Sequence, residues 1–334
     1  MSSMSSDIDK YAAFHVPFAS HLFFKLRQRT QPFWRALGRL ESASLREQLD
    51  GIEIRQPLYI AGLPRSGSTI LLEIMAAHGD VATHRYRDVW SIYTPYWSRQ
   101  FRASARMEKV ERSHGDGIMV TPDSPEAIEE VIWMSFFDHL HDWQQSNVLD
   151  GDTDQPDFEQ FYRDHLKKLL FVRRRSRYAA KGNYNFLRLE YLQKLFSDAR
   201  FIDPIRNPRD QIASLRKQHR LLTEAANQHP RSTDYLNHVG HFEFGANRRP
   251  LNMGDDESVR SILQLWSEGQ EVRGWARLWA QAYGRFMEIV SNNPRLNRTA
   301  VVIRYEDLCG QPEESLSRLL DHANLRPHGQ FIQD

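Results

Sequence analysis

Between residues 10 and 49, Phe, Leu and Trp recur three to four positions apart, the spacing of amphipathic helices packed on a core. The rhythm changes at PLYIAG (57–62), a short apolar run bounded by Pro57 and Gly62, which reads as a buried strand. After a glycine turn, STILLEIMAAH (68–78) continues as a helix. SPEAIEEVIWMSFFDHL (124–140) reads as a helix capped by Ser124 with Pro125 at its first position, and DFEQFYRDHLKKLLFVRR (157–174) as another amphipathic helix. Strand-like RYAAK (177–181), a helix over 187–196, the strand RFIDPI (200–205) and a helix over 208–218 follow. Residues 220–260 are polar and irregular, and 267–291 form one long helix rich in Trp, Tyr and Phe. TAVVIRY (299–305) is the last strand and PEESLSRLLDHA (312–323) the last helix. Strands alternating with helices predict an α/β protein: a central parallel sheet flanked by helices in three layers, with binding at the carboxyl ends of the strands.

The turn between the first strand and its helix is GLPRSGST (62–69). Gly62–x4–Gly67 followed by hydroxyl residues has the frame of a P-loop, whose backbone N–H groups and following helix N-terminus cradle a phosphate. Ser66, Ser68 and Thr69 add donors. Ser68 stands where an ATP- or GTP-using loop carries its lysine, and Arg65 lies earlier in the turn. A donor with one phosphate and one transferable group beyond it needs neither that lysine nor the metal it works with. A second anion-binding pattern is FIDPIRNPRDQIASLRKQ (201–218), in which Arg206 ends a strand and Ser214 lies on the next helix. Their side chains can converge on one phosphate, the arginine as a bidentate fork. Arg216 and Lys217 could extend that site, although a solvated helix face suits Lys217.

Composition narrows the classes. The 334 residues are 40% hydrophobic and 26% charged, with Lys+Arg 44 against Asp+Glu 43, so no global basic excess points to nucleic acid. The single cysteine, Cys309, leaves no intramolecular disulfide and fits a reducing compartment. MSSMSSDIDKYAAF is not a signal peptide, and no apolar run reaches the ~18–20 residues of a membrane helix, so a cytoplasmic protein is expected. HLHD (139–142) and HVGH (238–241) lack metal-site spacing, and no metal is expected. RRRSR (173–177) reads as cations at a helix C-terminus.

PRSGST (64–69), Arg206–x7–Ser214 and VVIRYEDL (301–308) occur in the order found in sulfotransferases that use 3′-phosphoadenosine 5′-phosphosulfate (PAPS), and the chain resembles that family over roughly 55–325. HRYRD (84–88) and HGDGIMVTPDSPEAIEEV (114–131) are most similar to its bacterial branch, related to the Golgi and tyrosylprotein types. The resemblance implies a P-loop-like domain over 51–334, with residues 1–50 packed on it and acceptor-shaping insertions near 85–120 and 220–260. It implies PAPS held by Pro64, Arg65, Ser66, Gly67, Ser68, Thr69, Arg206, Ser214 and Tyr305, without a metal. Arg65 and Lys181 are expected to stabilise the sulfate and the leaving phosphate, although KGNYN (181–185) departs from the family's usual Lys–x–Pro. Asp88 is the first candidate base, His84 the second and Glu129 or Glu130 the third. The acceptor is a hydroxyl compound, a carbohydrate by preference, with Trp90 or Trp97 available to line a sugar cleft. Two alternatives remain: a kinase-like protein with a degenerate loop, for which Asp203 is the candidate metal ligand, or a non-catalytic member of the fold.

Overall fold

The computed structural model describes residues 11–101, 109–111 and 117–326. In chain order its elements are α1 (Phe18–Arg29), α2 (Gln31–Ser44), α3 (Arg46–Asp50), β1 (Leu58–Ala61), α4 (Ser68–Ala77), β2 (Val81–Ala82), β3 (Val110–Glu111), β4 (Met119–Val120) and α5 (Glu130–Met134). They continue with α6 (Pro156–Arg173), β5 (Arg177–Gly182), α7 (Leu189–Leu195), β6 (Arg200–Ile205), α8 (Pro208–Gln228) and α9 (Arg231–His238). The chain then runs through α10 (Asp256–Ser267), α11 (Glu271–Asn292), α12 (Pro294–Thr299), β7 (Ala300–Arg304), α13 (Tyr305–Gly310) and α14 (Pro312–Ala323). Strands β2-β5-β1-β6-β7 form one sheet, parallel throughout, and β3-β4 is a separate antiparallel hairpin.

Both faces of the sheet are covered, which is why β1 is apolar at every position rather than alternating. Tyr59 and Ala61 face a large core with Tyr178, Phe201 and the aromatic side of α6, whereas Leu58 and Ile60 face a smaller one with Leu71, Leu72, Met75 and Leu319. With β1 central and the chain crossing from β5 on one side of it to β6 on the other, the crevice opens where β5, β1 and β6 end. The N-terminal helices are part of this body. Lys168 on α6 is buried and ion-pairs Glu41 of α2 at 2.9 Å, while also donating to the Gly38 and Tyr93 carbonyls. Among the described residues, no helix is long and apolar enough to cross a membrane.

Three local expectations are corrected. Only Glu130–Met134 of the 124–140 stretch is α-helical. Its start is extended instead, because Arg85 pairs with Pro125, Tyr86 N–H donates to the Ser124 carbonyl and Glu126 N–H to that of His84. The long helix expected over 267–291 is α11, but it starts at Glu271: Ser267 ends α10, and Gly269, at φ +74°, lies in the turn between the two. Residues 220–260 are largely helical: α8 runs on to Gln228, α9 follows, and α10 begins at Asp256. Part of the 85–120 segment lies outside the described residues.

Candidate active site

The loop after β1 turns through two residues in the left-handed region, Arg65 at φ +68° and Gly67 at φ +101°, and α4 starts at the next residue, Ser68. Two constraints favour glycine at 67. Its φ disfavours any side chain, and a Cβ would stand 2.6 Å from Cδ2 of Tyr305. Arg65 adopts its strained conformation because its side chain is claimed from across the crevice: Nε donates to the Ser214 hydroxyl at 2.9 Å. One turn earlier on α8, Gln211 donates to the Pro64 carbonyl at 3.0 Å, so two residues three apart on one helix face grip the loop.

The second stretch lies alongside. The Arg206 guanidinium sits over the Tyr305 ring at 4.6 Å, and its buried Nε has no hydrogen-bond partner. Gly67 lies against the edge of the Tyr305 ring and Arg206 over the ring, so Arg206 and the 64–69 turn meet at a single aromatic side chain. Lys181 is aligned with Ile60 across the β1–β5 register, and its ammonium donates to the Thr69 hydroxyl at 3.0 Å. Thus β1, β5, β6 and β7 each deliver one cationic or polar group to the same edge of the sheet.

A cavity of about 60 Å³ lies at this point, bordered by Pro64, Arg65, Ser68, Thr69 and Lys181 together with Glu126, Asn183 and His241. Burial works to raise the Glu126 carboxyl, but Lys181, Tyr86 and the Ala127 amide together hold it below the usual carboxylate range. Burial works to lower His241, but Glu243 at 3.4 Å outweighs it and raises the imidazole above its ordinary value. The Glu243 carboxyl, resisted by burial, is drawn down to about 2 by His241 and by Asn183, which donates to it at 2.6 Å.

Sequence reasoning had named neither Glu126, Asn183 and His241 nor Gln211. The 211/214 spacing on one helix face was a readable signal for Gln211. Glu126 and His241 sit in irregular backbone, where sequence pattern gives no direction to a side chain.

The structure places the other candidates elsewhere. Asp88 is 1% exposed, accepts the Arg85 amide at 2.8 Å and ion-pairs Arg173; it does not border the cavity. His84 is also buried, its Nε2 2.9 Å from His165 and its Nδ1 3.1 Å from the Tyr178 hydroxyl. Glu129 accepts from Trp133 at 2.7 Å, Tyr162 at 2.6 Å and Tyr178, and Glu130 pairs with Arg188 at 2.8 Å and His141 at 2.9 Å. Asp88 and His84 are thus engaged away from the crevice, whereas Glu129 and Glu130 border a smaller neighbouring cavity with Lys181, Asn183 and His241, their carboxylates held by the partners just named. Ser66 is completely buried within the loop, and its hydroxyl has no hydrogen-bond partner among the described residues. Arg216 pairs with Glu271 at 3.5 Å, and Lys217 is exposed. Neither Trp90 nor Trp97 borders the cavity; Trp90 packs on Phe24, ring centroids 4.8 Å apart. Asp203 is 2% exposed inside β6, where burial raises its carboxyl well above the ordinary value, unlike the ionised carboxylate a magnesium ion needs.

The model of the sulfotransferase family matches residues 57–248, the span from β1 through the loop, Lys181, Arg206, Ser214 and His241. No curated protein sequence matches the chain. Among solved structures, sulfotransferase STF1 of Mycobacterium tuberculosis superposes with a TM-score of 0.52 at 14% identity, over 90% of this chain and 76% of that one. Sulfotransferase STF9 of Mycobacterium avium gives 0.49 at 14% identity, over 88% and 70%. At such identity the likeness to STF1 speaks for the fold, and the family match speaks for the rest: this chain belongs to the sulfotransferase family.

Proposed function

We propose that the protein moves the sulfuryl group of PAPS to a hydroxyl acceptor. The observation that carries this reading is the junction of the two anion-binding stretches, where Ser214 holds Arg65 and one ring, Tyr305, adjoins both Gly67 and Arg206. A nucleotide with phosphate at both its 5′ and 3′ positions suits such a pair of sites.

The amides of 66–69, the α4 N-terminus and the Ser68 and Thr69 hydroxyls would take the 5′-phosphosulfate, and Arg206, with Ser214, the 3′-phosphate. Lys181 and Arg65 face the small cavity where charge develops on the sulfate and on the departing phosphate oxygen. Fixed cations there stabilise the transition state more than the ground state, the main source of rate in such transfers. The acceptor's oxygen forms a bond to sulfur as the sulfur–oxygen bond to the 5′-phosphate breaks, and the adenosine bisphosphate leaves. We take a carbohydrate as the acceptor and the cytoplasm as the setting, with the 85–120 and 220–260 segments shaping the acceptor's approach; Leu222, Leu236 and Phe244 of the latter already border the cavity.

Adenosine 3′,5′-bisphosphate should raise the melting temperature without magnesium, whereas ATP with magnesium should not. A labelled-PAPS screen against neutral oligosaccharides, simple alcohols and phenols then finds the acceptor. Absence of bisphosphate binding, or turnover unchanged in Arg65→Ala, sinks the reading.

A further inference from the structure

With Asp88 and His84 buried away from the crevice, the cavity contains two groups able to accept a proton, Glu126 and His241. They differ in what already occupies them. Glu126 accepts the Ala127 amide at 2.6 Å, takes a further bond from Tyr86 and faces the Lys181 ammonium, all of which favour its ionised form and weaken it as a base. His241 is held differently. Its Nδ1 points to the buried Glu243 carboxylate at 3.4 Å, and Asn183, at the exit of β5, anchors the other oxygen of that carboxylate at 2.6 Å. Glu243 Oε2 has no hydrogen bond of its own, so His241 is the partner that compensates it.

Resting on the sulfotransferase reading above, we propose that His241 accepts the acceptor hydroxyl's proton on Nε2, with Glu243 and Asn183 as the residues that position its ring. In the neutral ring Nδ1–H faces Glu243, which leaves Nε2 with its lone pair for the cavity. As the hydroxyl oxygen bonds to sulfur, its proton passes to Nε2, and the sulfur–oxygen bond to the 5′-phosphate breaks with its electron pair going to the bisphosphate. The imidazolium that forms is stabilised by Glu243, the same division of labour that a carboxylate and histidine perform in other group transfers. The charged groups facing His241 are Glu243 from its own segment, Glu126 from the segment before α5, Lys181 from β5 and Arg65 from the loop. Both acids favour the imidazolium and Lys181 opposes it; the acids prevail, which raises the ring's titration above the ordinary histidine value and makes the neutral ring a stronger base.

The test is nitrogen-15 NMR of the histidine rings of the full chain, with His241 assigned by its loss in His241→Gln. The expected result is a titration midpoint above 6.5, an Nδ1–H tautomer when neutral, a midpoint lowered in Glu243→Gln, and a ring signal that moves when adenosine 3′,5′-bisphosphate is added. With the acceptor from the labelled-donor screen, His241→Gln should lose roughly 100-fold or more in kcat, and Glu243→Gln should move the acid limb of the pH profile downward. An Nε2–H tautomer, or a midpoint indifferent to Glu243→Gln, overturns the proposal. Failure of the wild-type chain to bind the bisphosphate instead overturns the donor reading, and the two outcomes are read in separate experiments.

Discussion

Replacing Gly67 by alanine attacks the contact on which both anion sites depend. The added methyl must adopt φ near +101° and would sit 2.6 Å from the Tyr305 ring. Left-handed backbone costs an ordinary residue about 1–2 kcal/mol, and overpacking adds about 1–3 kcal/mol unless the ring moves. Tyr305 is only half-buried, so it can rotate outward, and in doing so it withdraws the face on which Arg206 rests at 4.6 Å. Donor binding then loses that stacking, about 0.5–1 kcal/mol, and the charge-assisted bond of a displaced guanidinium, about 1.5–3 kcal/mol. The total of about 2–4 kcal/mol corresponds to a roughly 30- to 700-fold weaker complex. Isothermal titration calorimetry with adenosine 3′,5′-bisphosphate measures this directly, with Tyr305→Phe as the control that keeps the ring. A Gly67→Ala protein that is folded and binds within threefold of wild type refutes the argument that one aromatic ring unites the two sites.

Asp88→Asn should destabilise the fold by about 3–5 kcal/mol in urea denaturation, because it leaves the Arg173 guanidinium buried without its carboxylate, while bisphosphate affinity stays within twofold. Lys168→Met strands Glu41 at the α2–α6 contact and should cost a similar amount, seen as a large fall in denaturation midpoint with the donor site intact. The Glu243 carboxyl lies at about 2 in the fold against an ordinary 4.5, so it stabilises the protein above 4.5 and loses that contribution as pH falls toward 2. The whole is worth ~3 kcal/mol, and Glu243→Gln should flatten the acid side of a melting-temperature profile accordingly. An acid limb as steep in the variant as in wild type would show that the carboxyl is not held low.

How much was readable beforehand follows from what each residue depends on. β1 is flanked by sheet on both sides and reads as an apolar run, and Gly67 marked the turn by its left-handed backbone, whereas Gly62 is required by the close approach of Pro204, 3.1 Å from where a Cβ would stand. Arg206 and Ser214 could be singled out because each has a place set locally, a strand end and the second turn of the next helix, but their partners in the structure, Tyr305 and Arg65, lie far off in sequence. Asp88 was not legible. Its role depends on Arg173, 85 residues away in sequence, and no local pattern reports that ion pair. The 124–140 stretch misled for the same reason: Pro125 reads as a helix start until a distant segment, 84–86, takes its neighbours' hydrogen bonds. His241 stood in plain view in HVGH, but only the carboxylate two residues on, and the asparagine that fixes it, give the ring a task.

The grip of α8 on the loop carries one more implication. Gln211 and Ser214 sit on the same helix that, fourteen residues past Ser214, runs out at Gln228 into the segment leading to α9 and His241. One helix therefore touches the 64–69 turn near its start and, past its far end, hands the chain to the segment that brings His241 to the same cavity, so a change in its tilt would be felt on two of the cavity's borders at once.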